Sequence, residues 1–461
     1  MIELEVLEKN GVDIYLIDGR KIKLFFKLSL ILGDNLGLHS ILGFTESFNS
    51  TYSCRFCKMD TVQRSLASLE DKKLLRDKES YETDILLKDP SSTGIKEKCI
   101  FNRLSNFHDL DNVVVDIMHD FIEGFVHRDM CDILDYYINK VKLFSLLDLT
   151  SRIKLHDFGE FDIKNKPLEI LPNHLKNKSL KMSAGEILSF VRHFGIIMGD
   201  LIPDDDVVYR LYLNLVNILD IILARSIHKN CKGLLKTLVS EHHTLVLTIF
   251  NRHCKTKEHN LIHYDTVMHT SGPLINFSGM RWEAKHKESK MLAVVSNSKV
   301  NICQTLGVKH QLKFAYLVQS NTMFPTELLL GELKKVTTKT LYSVHNDECL
   351  IVNKLSHKTV NSYDWIEKRG IKYKSRMVSC TSHENQKLNF GIINYIIIEN
   401  YIIYFSYQKL LTVFDAHCHA FKIINLKSDN YIVSYEDLVY IYPVSLIQKN
   451  DEYYILHHYL A

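Results

Sequence analysis

The chain has no run of about 18 uncharged apolar residues, so nothing in it reads as a bilayer-spanning helix, and no cleavable secretory signal is recognisable. It also has no glycine-rich loop of the phosphate-cradling kind, no serine elbow and no internal repeat, which sets aside P-loop nucleotide hydrolases, esterases and solenoids. An excess of one charge is missing as well. Lys and Arg number 57 against 54 Asp and Glu, a formal net charge of +3 over 461 residues, so attraction to nucleic acid has to come from local clusters. The ten cysteines are scattered apart from Cys54 and Cys57 in CRFC, a usage that fits reduced thiols with one metal-binding pair better than a disulfide framework. With 46% apolar and 24% charged residues, a chain of this length can bury substantial cores and is expected to form two or three domains.

What is present changes character along the chain. Residues 1–26 read as the end of a helix followed by paired strands that turn at Ile17-Asp18-Gly19-Arg20, and the apolar run from Lys23 to Leu32 predicts a strand ending at Gly33-Asp34. A carboxylate just past a buried strand is where open sheets present site groups, while Asp34 ahead of Leu36-Gly37-Leu38 is equally suited to capping a helix. From about residue 60 to 320 the pattern is helical, interrupted by Lys88–Lys98 and Asp157–Lys181. Ser183 and Glu186 form a capping box. Asp204, Asp205 and Asp206 open the apolar stripe Val208, Leu211, Leu215, Ile218 and Ile222, where acids serve the helix dipole. After about residue 335 the period becomes two. Strands are expected at Leu341–Val352, Tyr373–Cys380, Phe390–Ile398, Tyr401–Tyr407, His419–Ile424 and Tyr431–Tyr442, with a hairpin turn at Glu399-Asn400. His417-Cys418-His419 is given a structural role, because neighbouring strand residues face opposite sides.

The residues that carry chemistry are few. His259 and His263 stand four apart, a spacing that points two imidazoles the same way from one helical turn, and CRFC offers two thiolates. Asp34 precedes Cys54 by twenty residues and Glu283 follows His263 by twenty, so each soft pair is tethered to one carboxylate. Two thiolates with two imidazoles suit a structural zinc; the carboxylates suit a harder catalytic ion. Asp116, His119, Asp120 and Glu123 would share a face of a regular helix and form the competing acidic cluster. Glu283 lies in RWEAKHKESK, where Arg281, Lys285, Lys287 and Lys290 would track a phosphate backbone, and Trp282 is expected in the core.

The stretches GDNLGLHSILGFTESFNSTYSCRFC, TGIKEKC, VVVDIMHDFIEG, KMSAGEILSFVRHFGIIMGDLIPDDD, GPLINFSGMRWEAKHKESK and WIEKRGIKYKSRMVSC resemble the CACTA-type (En/Spm-like) cut-and-paste DNA transposases, over nearly the whole chain. The resemblance implies an α+β fold: a partial RNase H-like sheet over 1–58, a large all-helical insertion with a zinc clamp over 59–280, and C-terminal helices over 281–330, followed by a small all-β barrel-like domain over 336–461. It implies that Asp34 and Glu283 are the second and third of three catalytic acids, with Asp116 as the alternative. Cys54, Cys57, His259 and His263 would be the zinc clamp, and Arg281, Lys285, Lys287 and Lys290 the DNA contacts. The first acid is expected on a strand before Met1, so the chain reads as an N-terminally truncated relative that has lost catalysis and kept DNA binding. Two other classes stay open. One is an active DDE-type transposase or nuclease, using Mg2+ or Mn2+, if an upstream segment or a partner supplies the first acid. The other is a zinc-stabilised scaffold. DNA and a second copy of the chain are the expected partners, no membrane is expected, and the expected location is nuclear, otherwise cytoplasmic.

Overall fold

A computed structural model describes residues 1–228, 231, 233–324, 326–337, 341, 359–384 and 387–456. Helix accounts for 46% and strand for 22%, and the helical region is followed by a curled antiparallel sheet, so the α+β expectation holds at that level. The chain opens with α1 (Ile2–Lys9) and a hairpin of β1 (Val12–Tyr15) and β2 (Lys21–Leu24), and continues through α2 (Asn35–Leu42). A π-helical segment, Met118–Phe125, runs on into α3 (Val126–Asp135). Then come α4 (Ala184–Met198), α5 (Val207–Leu223), α6 (Leu234–Phe250), α7 (Thr256–Asn260), α8 (Met280–Val295) and α9 (Ile302–Gln319).

The local signals for α4 and α5 are met. Ser183 N donates to Glu186 Oε2 at 2.7 Å in the capping box, and Asp206 caps α5 by accepting from Tyr209 N at 2.8 Å. The stripes behind those caps meet in the largest core, where Phe190 and Phe194 pack with Leu211, Tyr212, Leu215 and Ile218, and the same core reaches Cys54 and Cys57.

The first 58 residues depart from the expectation. Their only described sheet is the β1–β2 hairpin, and residues 25–34, expected as a strand, run without strand partners. No described segment lies beside them to complete a ladder, so their backbone is tied elsewhere: Phe26 N donates to Leu7 O at 3.2 Å, and Asn112 Nδ2 to Ser29 O at 2.7 Å.

After the helices, β3 (Leu328–Leu330) pairs with β6 (Trp365–Lys368), which pairs with β7 (Ile371–Lys374). Among the described residues the main sheet contains nine strands: β4 (Leu333–Thr337), β5 (Thr359–Tyr363), β8 (Val378–Glu384), β9 (Lys387–Glu399), β10 (Ile402–Asp415), β11 (Ala420–Ser434), β12 (Tyr440–Val444), β13 (Leu446–Lys449) and β14 (Glu452–Leu456). Its order is β12-β8-β9-β10-β11-β14-β13, with β5 joining β4 to β9. β12 and β13 lie at opposite ends of that order, yet only Ser445 separates them in sequence, so the sheet has to curl until its edges meet. The expected turn is there as the two-residue link Asn400-Tyr401, both at positive φ. The strand expected at Leu341–Val352 falls, apart from Leu341, outside the described residues.

The sheet packs directly on the helices. Ile196 of α4 sits in one core with Cys418, Ala420, Ile447, Tyr454 and Leu456 of the sheet. The β10–β11 turn plugs into the helices: Tyr209 Oη donates to His417 O at 2.6 Å, His417 Nε2 bonds Gly199 O at 2.9 Å, and His419 Nε2 lies 2.7 Å from Asp220. The two histidines thus do the structural work expected of them, from a turn and not from within a strand. By contrast α8 and α9 form a hairpin in which no residue is buried. Among the described residues no helix is long and apolar enough to cross a membrane.

Ile196→Ala removes the side chain that joins the two regions, and is expected to lower stability by about 2–4 kcal/mol. Urea unfolding followed by circular dichroism measures it; a loss below about 1 kcal/mol would mean that the seam is not a shared core.

Candidate functional site

Two local structures hold the soft donors. The CRFC loop is pinned from both sides, with Lys58 N donating to Leu74 O at 2.7 Å and Arg76 N to Phe56 O at 3.0 Å, while Phe56 N donates to Cys54 Sγ at 3.4 Å. His259 comes from α7, and His263 follows in the turn of 3-10 helix after it. Cys57 Sγ lies 3.3 Å from His259 Nε2 and Cys54 Sγ 3.6 Å from His263 Nε2, although 202 and 209 residues separate the partners. All four donors are buried, and their ligand atoms lie within 4.8 Å of one another. A tetrahedral ion about 2.1 Å from nitrogen and about 2.3 Å from sulfur spaces its ligands roughly 3.5 Å apart, which these separations match.

The electrostatics suit a cation. Burial pushes the Cys54 thiol up, but the hydrogen bond from Cys57 and the nearby His263 and His259 outweigh it and hold Cys54 well below the ordinary thiol range. Cys57 is raised by the bond to Cys54 and by burial; a bound divalent ion would favour the thiolate form of both. His263 has an outer partner: its Nδ1 lies 2.7 Å from Glu70, which also accepts from Thr266. Such a carboxylate fixes the ring so that Nε2 faces the ion. Nothing in the sequence pattern had singled out Glu70.

The same two segments carry a buried polar network. Arg55, between the cysteines, donates to Asn35 Oδ1 at 2.7 Å and to Val114 O at 2.8 Å. Asp120 accepts from Asn35 at 2.6 Å and from Asn260 at 3.1 Å. Burial raises Asp120 to about 6, although Arg55, Asn35 and Asn260 all favour its charged form.

The network sets the π-helical segment, and through it the third group. Asp116, His119, Asp120 and Glu123 were expected on one helical face; in the structure Asp120 is buried against Asn35 and Asn260, while Asp116, which lies just ahead of the π-helical segment, and His119 meet Gly279 and Glu283 at the start of α8. Asp116 Oδ1 accepts from Met118 N and from Gly279 N, each at 3.0 Å, and its Oδ2 lies 2.5 Å from His119 Nδ1. His119 Nε2 lies 2.9 Å from Glu283 Oε1. One imidazole therefore bridges two carboxylates that are 167 positions apart in sequence. Gly279 is required there, because a Cβ would stand 2.7 Å from Asp116 Oδ2. The hydrogen bond to Asp116, opposed by partial burial and helped by the Asp116 and Glu283 charges, raises His119 to about 9. It is an imidazolium at neutral pH.

Asp34 caps α2, its Oδ1 accepting from Gly37 N at 2.6 Å. Glu283 was expected to face Asp34; its hydrogen-bond partner is His119, and Asp116 stands on the other side of that ring. The ordinary Glu283–Lys287 pair is also not formed among the described residues, since His119 takes the carboxylate. Arg281, Lys285, Lys287 and Lys290 are all exposed; Lys285 pairs with Glu288 at 2.8 Å, and Lys313 pairs with the same acid. Trp282, expected in the core, is 58% exposed; the first turn of α8 is held to the body by Met280, which packs against the main core, and by the bonds of Gly279 and Glu283. No protein-family model matches the chain, and no curated protein matches it.

Purified from cells, the chain is expected to retain about one divalent metal ion, lost in a Cys57→Ala, His259→Ala double variant. Glu70→Ala should weaken retention by about 10–100-fold in chelator competition. Metal content equal to that of the double variant would refute the clamp.

Because His119 is raised above its ordinary 6.5 to about 9, its tether to Asp116 and Glu283 is complete below about pH 6.5 and is lost as pH rises through about 9. Protection of the α8 amides from hydrogen exchange, corrected for intrinsic rate, should fall across that window in the native chain. In His119→Gln it should stay flat.

Proposed function

We propose that the chain is a transposase-derived protein that binds DNA without cutting it: a zinc-stapled helical body that presents a basic helical hairpin. The observation that supports this best is the convergence of CRFC with HNLIH into one Cys2His2 cluster, which the resemblance to CACTA-type transposases anticipates and which ordinary core packing does not require. Zinc is the natural occupant of two thiolates and two imidazoles in a closed tetrahedral set, and its role is structural. The RNase H-like reading of the first 58 residues rests on the resemblance alone.

Exposure of Arg281, Lys285, Lys287 and Lys290 on one hairpin supports contact with a phosphate backbone. Lack of cutting is supported by how the acids are engaged. Two-metal phosphoryl chemistry needs ions about 4 Å apart bridged by a carboxylate. Here Asp34 caps a helix, Asp116 accepts from two backbone amides and faces His119, and Glu283 faces the same imidazolium. Among the described residues, the clamp is the only place where three or more metal-donor side chains converge. A second reading, an active DDE-type enzyme using Mg2+ or Mn2+, draws on the nearness of Asp116 and Glu283 across one ring; it needs His119 to swing away and a further acid to arrive.

With about four phosphate contacts, affinity for duplex DNA should fall roughly a hundredfold between ~50 and ~200 mM salt, and an Arg281→Ala, Lys287→Ala, Lys290→Ala variant should flatten that slope. No nicking should occur with either metal. Binding indifferent to salt would favour a scaffold unconnected to nucleic acid. Metal-dependent nicking that disappears in Asp116→Ala, Glu283→Ala would establish the enzyme.

A further inference from the structure

Where the helical region meets the curled sheet there is an open cavity of about 500 Å3, floored by Arg192 of α4 and walled by the tyrosines of β12. It is separate from the clamp, the Asp116–His119–Glu283 bridge and the basic hairpin. The volume lies within the range of sites that enclose a small organic ligand. We propose that this cavity binds a nucleoside monophosphate unit, free or at the end of a nucleic-acid strand.

The charge at the cavity is fixed in place. Arg192 is only 6% exposed, with a guanidinium nitrogen 3.8 Å from Asp162 Oδ2. The same Asp162 oxygen lies 3.1 Å from His193 Nε2, and His193 Nδ1 lies 2.9 Å from His156. Asp162 is thus shared between a histidine chain and Arg192, whose buried side chain lines the cavity. Four cations line the space, Arg192, Arg225, Lys372 and Lys374, against the two acids Glu160 and Asp162. Lys374 pairs with Glu160 at 2.5 Å. Two positive charges are left in excess. An anion is the ligand that this balance selects.

The walls specify what the anion is attached to. Arg225 lies over the ring of Tyr442 at 4.4 Å, and Tyr440 stands 5.4 Å from Tyr442. Tyr440 and Tyr442 both line the cavity, and tyrosine rings are surfaces on which nucleobases stack without sequence preference. Across the opening, Lys372 sits over Trp365 at 4.0 Å, on the hairpin whose turn is Arg369-Gly370, both at positive φ. Exposed on β7, two residues past that turn, Lys372 is able to reach a phosphate at the rim. An acidic peptide would satisfy the cations and leave the aromatic wall unused; a base with a phosphate uses both.

The test is calorimetric titration of the full chain with AMP, adenosine, inorganic phosphate and a short 5′-phosphorylated oligonucleotide. AMP is expected to bind at least about tenfold more tightly than adenosine or phosphate alone. Arg225→Ala with Lys372→Ala, both on the surface, should weaken AMP at least about tenfold, while Lys449→Ala, outside the cavity, leaves it unchanged. An oligonucleotide stronger than AMP identifies the strand end as the source of the unit, and one equal or weaker identifies the free nucleotide. Photo-crosslinking of 8-azidoadenosine monophosphate to the peptide containing Tyr440 and Tyr442 reads the same site without any substitution. AMP binding no tighter than adenosine or phosphate, or crosslinking elsewhere, overturns the proposal.

Discussion

The contact between the CRFC loop and the HNLIH turn is the constraint on which the rest of the helical region depends. It closes a loop of some two hundred residues, and an isolated pair of thiols and imidazoles would not hold such a loop shut against its chain entropy. A shared cation would. What the closure fixes extends beyond the four ligands, because their immediate neighbours in sequence are themselves structural: Arg55 lies between the two cysteines and Asn260 next to His259. Arg55 reaches Asn35 and the backbone at Val114, and Asn260 reaches Asp120. Joining the ligands therefore also joins the start of α2 to the π-helical segment.

That segment passes the constraint outward. At Gly124 the backbone leaves helical geometry (φ −85, ψ −111), and a Cβ there would stand 2.8 Å from His119 O. Along this segment Asp120 is buried against Asn35 and Asn260, and its neighbour His119 faces α8. Burial of Asp120 requires its partners to be in place; a carboxylate left there without Asn35, Asn260 and the Arg55 charge would strongly disfavour the folded state. The position of His119, and with it the anchoring of Glu283, thus derives from the clamp through three side chains. The basic hairpin has no fully buried residue, so beyond the contact of Met280 with the main core this polar tether is what fixes its direction.

How much of this was legible in the sequence follows from which distances the chain fixes locally. Cys54 with Cys57, and His259 with His263, are each placed by the geometry of a single turn, and Ser183 and Asp206 cap their helices through bonds that span three residues. Asp34 was ambiguous between cap and site, and its bond to Gly37 N shows the cap. The partner of Glu283 was not legible. Asp116 lies just ahead of the π-helical segment and accepts from Gly279 N, and nothing in VVVDIMHDFIEG announces a contact that comes from 163 residues away. Trp282 was placed in the core on hydrophobicity, but in the first turn of α8 it is Met280 that packs against the core. The role of His417 and His419 depended on a turn. His419 has φ +50, so the alternation of a strand does not apply to it.

The sheet region was legible as a change of period but not as a docked unit, and the reason is physical. Its docking surface is made from residues that are unremarkable one by one, Cys418, Ala420, Ile447, Tyr454 and Leu456, and they become a face only because the sheet curls until β14 lies beside β11. Ile196 and the β10–β11 turn then lock that face to α4 and α5. A consequence is that the sheet and helices cannot be treated as independent modules. The buried Asp162–His193–His156 chain lies at their junction, with His156 reaching towards the rim formed by Gln448 and Lys449 and Asp162 towards the cavity walled by β12. Burial holds His156 near 3 and so keeps it neutral, which leaves Asp162 as the charged end of the chain, facing Arg192. Separating sheet from helices would expose the apolar seam and open that chain to water together, so the two regions are expected to unfold as one cooperative unit.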